Sequence, residues 1–122
     1  MTLRQALHSV LASQEEIAAD EERHDSASQL GCSAVSDLAN RKRATVSGVM
    51  RSVILRPREG VPTVEAELYD GSGSLDLVWL GRRRIAGVEP GRRVRVEGLV
   101  CEIAGRRTMF NPRYELRPRA GE

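Results

Sequence analysis

Two pairs of arginines offer the clearest chemistry in this chain: Arg56 and Arg58 on either side of Pro57, and Arg106 and Arg107 just after Ala104-Gly105. A guanidinium is a rigid fork of donors that meets a phosphate or a carboxylate with two parallel hydrogen bonds. Two such pairs on separate loops make a phosphate clamp if the fold brings the loops together. Tyr69 and Tyr114 add faces on which a planar ring can stack. The chain is otherwise poor in aromatics, at 3%, with only Trp79 and Phe110 besides, and this argues against a long stacking platform.

Nothing in the sequence assembles a catalytic set. His8 and His24 sit in or beside one acidic segment with no nucleophile nearby. Glu67 and Asp76 can be neighbours, yet no positioned acid, base or metal set accompanies them. Gly71-Ser72-Gly73 joins two strand patterns and opens no helix, so it is not a phosphate-binding loop. Cys32 and Cys101 are far apart and lack a Cys or His at ligand spacing, which favours a reduced pair and excludes an obvious metal site. The reading is a protein without enzymatic activity, cofactor or metal. With no signal pattern and no apolar run of membrane-spanning length, it is expected in the cytoplasm.

Charge divides the chain. Residues 1–40 carry two bases against seven acids, a net −5, and residues 41–122 carry 17 bases against 10 acids, a net +7. All the bases but Lys42 are Arg. The acidic part reads as an α-helical extension with a linker. Leu3, Leu7, Val10, Leu11 and Ile17 fall near one face of a helix over 2–24, with Thr2 as its cap. A small polar linker over 25–33 follows, then a short second helix to about Asn40 that places Val35 and Leu38 against the rest.

The basic part reads as strands. Val64, Ala66 and Leu68 alternate with Thr63, Glu65, Glu67 and Tyr69, the period of a half-buried strand. Asp70-Gly71-Ser72-Gly73 reverses the chain, and Leu75, Leu77 and Trp79 resume the alternation. A longer strand over 44–56 precedes this hairpin, with Val46, Gly48, Met50, Val53 and Leu55 inward and Gly48 permitting a sharp bend. A short helix is expected within 81–91, with Ile85 inward, then strand four over 93–103 and strand five over 108–116. That order, β-β-β-α-β-β, is the order of a five-stranded OB-fold Greek-key barrel, here assigned to residues 41–119 behind the 1–40 extension.

The residues VSGVMRSV, LYDGSGSLDLVWL and Pro90-Gly91 before VRVEGLV resemble bacterial OB-fold nucleic-acid-binding domains, including the anticodon-binding type of some tRNA synthetases. MFNPRYEL is similar to the last strand of the OB wedge domain of RecG-type helicases. The whole chain also resembles small stand-alone OB-fold proteins with an acidic helical N-terminus. The resemblance implies a partner, DNA or RNA, single-stranded or structured.

In this fold the groove crosses strands two and three between the loops joining strands one to two and four to five. Arg56 and Arg58 are thus expected on one side and Arg106 and Arg107 on the other. Tyr69 either stacks a base or covers the barrel rim, and Tyr114 reaches the groove from strand five. Trp79 and Phe110 are expected in the core. Glu65, Glu67 and Asp76 project into the middle of the groove, where they repel phosphates. Arg82, Arg83, Arg84, Arg92, Arg93 and Arg95 form either a second basic patch or an ordinary solvated face. The competing reading is a protein-interaction adaptor that uses the acidic helix to dock a partner or a second copy.

Overall fold

The computed structural model describes residues 31–118. The expected helix over 2–24 and most of its linker therefore lie outside the described residues. Seven strands make one sheet: β1 (Arg43–Leu55), β2 (Thr63–Tyr69), β3 (Ser74–Leu80), β4 (Arg93–Leu99), β5 (Cys101–Ile103), β6 (Arg106–Phe110) and β7 (Arg113–Leu116). Their order is β5-β6-β3-β2-β1-β4-β7.

Three strands form the antiparallel meander predicted from the alternation. β1 pairs with β2, and β2 with β3 in register from Thr63↔Leu80 to Tyr69↔Ser74. Val64, Ala66, Leu68, Leu75, Leu77 and Trp79 all point into the core. In β1 the register shifts between Met50 and Ser52. This bulge inserts Arg51 and exchanges the strand's faces. Val46 and Met50 are therefore inward before it, and Val53 is inward after it. Leu55, expected inward, is 55% exposed at the last pair of β1 with β2. Gly48 crosses under the end of β2, where an added Cβ would lie 2.5 Å from the Tyr69 carbonyl oxygen. Only a residue without a side chain permits that approach.

The hairpin turn between β2 and β3 is built on Asp70, which is buried. Its Oδ1 accepts from the Ser72 amide (2.9 Å), the Ser72 hydroxyl (2.7 Å) and the Gly73 amide (3.1 Å). Its Oδ2 accepts from the amide of Val35 at 2.8 Å. The carboxylate thus fastens the turn to a segment 35 residues earlier. That segment is a single 3-10 turn, Val35–Asp37, and not the expected second helix. Ala34 offers no capping side chain, and the backbone is already extended again at Leu38. The packing expected of it is present, with Val35 and Leu38 buried.

The second half departs further from expectation. Residues 81–91 form turns with no helix. Gly81, Gly87 and Gly91 all have positive φ (73°, 77° and 87°), a conformation that no right-handed helix accommodates. Ile85 and Val88 still anchor the segment in the core. The expected count of five strands becomes seven because strands four and five each break. Strand four turns a corner at Val100, leaving β1 as its partner in β4 and taking β6 in β5. Strand five breaks at Asn111-Pro112, where Asn111 adopts φ 50° and Pro112 has no amide to donate. β6 runs parallel to β3 and β7 antiparallel to β4. The bent β6–β7 run thereby links the two ends of the sheet order, which closes the barrel.

Candidate functional site

A groove of about 300 Å³ runs across the outer face of β2 and β3. Arg56 and Arg58, from the loop after β1, line it on one side, and β6 lines the other through Thr108 and Phe110. Arg106, at the start of β6, does not line the groove itself but pairs with Asp76, which does. Glu65, Glu67 and Asp76 form its floor. Glu67 and Asp76 are direct cross-strand partners. Such a row of carboxylates is repulsive unless cations meet it.

The cations that meet it are the flanking arginines themselves. Arg56 Nε lies 3.4 Å from Glu65 Oε2, and Arg58 Nη2 donates to Glu65 Oε1. Arg106 makes a two-pronged contact with Asp76, Nε to Oδ2 at 2.6 Å and Nη2 to Oδ1 at 2.8 Å. That hydrogen bond, then the charges of Asp76 and Glu67, push the Arg106 guanidinium above its ordinary value, so it is always charged. Glu67 accepts instead from the Ser74 hydroxyl at 2.9 Å. With Arg106 counted through its pair with Asp76, three positive side chains match the three carboxylates of the groove in formal charge. All three guanidiniums are more than half exposed, and ion pairs so placed are worth only ~0–1 kcal/mol. An arriving anion can therefore exchange with the carboxylates at small cost.

Arg107 does not join Arg106. Successive residues of a strand face opposite ways, and Arg107 donates to the carbonyls of Ser36 (3.2 Å) and Leu38 (3.4 Å). It ties the 3-10 turn to the barrel. Tyr69 shares the outer face of β2 with Glu65 and Glu67 but lies beyond the groove, its ring 3.5 Å under the Arg51 guanidinium delivered by the β1 bulge. Tyr114 lies on β7, away from the groove, edge-on to Trp79 with centroids 6.0 Å apart. Around it Arg95 opposes Glu115 and Glu97 opposes Arg113 across β4 and β7, a lattice of alternating charge. Trp79 is core, as expected, and its indole donates to the Pro112 carbonyl at 3.1 Å.

Phe110 is the correction that matters most. Expected in the core, it is 41% exposed and lines the groove beside the exposed Ile54 and Ile103. The signal was present in the sequence: Met109 is the inward residue, so its neighbour Phe110 must face out. Among the described residues no cluster of His, Cys, Asp and Glu is arranged to hold a metal ion. No described helix is long and apolar enough to cross a membrane.

No protein-family model matches the chain, and no curated protein matches it. Solved structures do. RecG bound to a three-way DNA junction is similar over 74% of this chain and 13% of its own, at 24% identity and a TM-score of 0.59. A replication factor A related protein from Methanobacterium thermoautotrophicum is similar over 70% of this chain and 90% of its own, at 14% identity and a TM-score of 0.58. A replication protein A heterotrimer bound to single-stranded DNA is similar over 66% of this chain and 62% of that chain, at 18% identity and a TM-score of 0.51. This chain thus spans a small part of RecG and less than two thirds of the replication protein A chain. Together with the strand order, these likenesses show that the chain has the OB-fold.

Proposed function

We propose that this protein is a non-enzymatic nucleic-acid-binding module whose groove across β2 and β3 receives a single strand or the unpaired part of a structured DNA or RNA. The observation that carries the reading is that Arg56 and Arg58 line the groove and pair with Glu65, while Arg106, some fifty residues on, pairs with Asp76 of the same groove. Phosphates of the strand take the guanidinium forks in exchange for Glu65 and Asp76. Phe110, with Ile54 and Ile103, offers exposed apolar surface in the groove on which a base can rest. The carboxylates set free can accept hydrogen bonds from base amines. The fold is compatible with this role, since two of the similar structures hold DNA.

Fluorescence anisotropy with labelled single-stranded, duplex and forked DNA and RNA tests it, each probe titrated at several salt concentrations. Wild type should bind with a strong salt dependence. Replacing Arg56, Arg58 and Arg106 by Ala should lower the slope of log K against log salt by about 2, at roughly 0.7 per phosphate contact on a single strand. Absence of binding to every probe would overturn the reading. The second reading, a protein partner, is favoured by the neutral charge and exposed apolar residues of the groove, and that result would give it the lead.

A further inference from the structure

Every arginine at the groove already faces a carboxylate, whereas three arginines just outside it face none among the described residues. Arg82, Arg83 and Arg84 are exposed, and none has an ion-pair or hydrogen-bond partner among the described residues. They stand together on the turn that leaves β3. The backbone that presents them is fixed on both sides. Before them, the Gly81 amide donates to the Pro62 carbonyl at 2.8 Å. After them, Ile85 and Val88 are buried in the core, and the Gly91 amide donates to the Met50 carbonyl at 2.7 Å.

The position of this turn relative to the groove is equally fixed. Val78 and Phe110 line the groove and are paired across β3 and β6. Asn111, the next residue, accepts from the Leu80 amide through its side chain at 2.9 Å and donates its own amide to the Val78 carbonyl at 2.7 Å. Pro62, which holds Gly81, follows Val61, and Val61 bridges to Arg58 in the groove wall. The three arginines thus begin two residues beyond Leu80, at the end of the groove where both walls meet the end of β3. Any strand that leaves the groove past Val78 and Phe110 comes upon them.

From this we infer that the turn carrying Arg82, Arg83 and Arg84 is a second phosphate-binding element, which takes the backbone of a nucleic-acid strand as it leaves the groove. The inference rests on the groove reading above and adds a site to it. Groove contacts exchange one partner for another, so their gain is small. Contacts at the turn displace no partner among the described residues, and a cluster of this charge takes up phosphates with counterion release. The turn then adds its own salt-dependent part to the affinity for a long strand, beside that of the groove.

The test uses the full chain with two single-stranded probes, about 4 and about 16 nucleotides long, the limits of what one OB-fold occupies. Arg82→Ser, Arg83→Ser and Arg84→Ser are combined, and circular dichroism and the melting temperature check that the exposed turn has not disturbed the barrel. For the long probe, affinity should fall roughly tenfold or more and the salt slope by about 2. The short probe, confined to the groove, should bind the variant as it binds wild type. A long probe with unchanged affinity and slope would overturn the inference and leave the groove reading standing. Equal weakening of both probes would overturn it as well, since the turn would then act within the groove. Failure of wild type to bind either probe, or binding untouched by the Ala variant of Arg56, Arg58 and Arg106, would overturn the groove reading itself.

Discussion

Glu65 and Asp76 occupy the arginine forks that a phosphate must take, so they act as competitors built into the site. Glu65→Gln and Asp76→Asn each remove a charge and keep the shape. Exposed pairs of this kind are worth at most about 1 kcal/mol, so each change should tighten nucleic-acid binding by roughly two- to fivefold. Anisotropy at moderate salt measures this, and weaker binding in both variants would mean that the carboxylates contact the ligand directly. The residues of the groove were only partly legible in the sequence. Arg56, Arg58 and Arg106 follow from the loops of the fold, and the acidic floor follows from the alternation of β2 and β3. Arg107 and Tyr114 did not follow. For Arg107, loop membership conceals which way each of two adjacent residues faces; for Tyr114, β7 turns away from the groove at Pro112.

At the scale of elements, the barrel depends on β1 bending closely over β2, and Gly48 is where it does so. Gly48→Ala puts a methyl group against the Tyr69 carbonyl and the Leu68 side chain. A cost of about 1–3 kcal/mol is expected, seen as a lower urea midpoint with an unchanged m-value. An unaltered midpoint would show that the two strands can separate there freely. This glycine was legible, as was the β2–β3 hairpin, because local alternation and turn chemistry fix both. The breaks in the last two strands were not. Val100 and Asn111 change partner for reasons of barrel closure, which no short stretch of sequence records. The short helix expected within 81–91 failed on glycines whose positive φ is visible only once the chain is folded.

Taken as a whole, the molecule is held together by contacts between its distant parts. Asp70 holds Val35, and Arg107 holds the carbonyls of Ser36 and Leu38, so side chains from two distant parts of the barrel help to fasten the segment before β1. Asp70→Ala should cost about 1–3 kcal/mol, since it strands the buried Val35 amide and unmakes the turn. Hydrogen exchange at the Val35 and Leu38 amides should accelerate more than exchange within β2 and β3; uniform acceleration would show that the segment has no separate fastening. The parallel pairing of β6 with β3 has a different consequence, in the order of events. The floor of the groove is a hairpin that can form as soon as residue 80 exists, but its second wall is the Arg106–Phe110 strand, which comes much later in the chain. Arg106 and Phe110 reach the site only when that strand docks and closes the barrel. Until then the groove has only one wall, so a chain still emerging from the ribosome lacks the finished site.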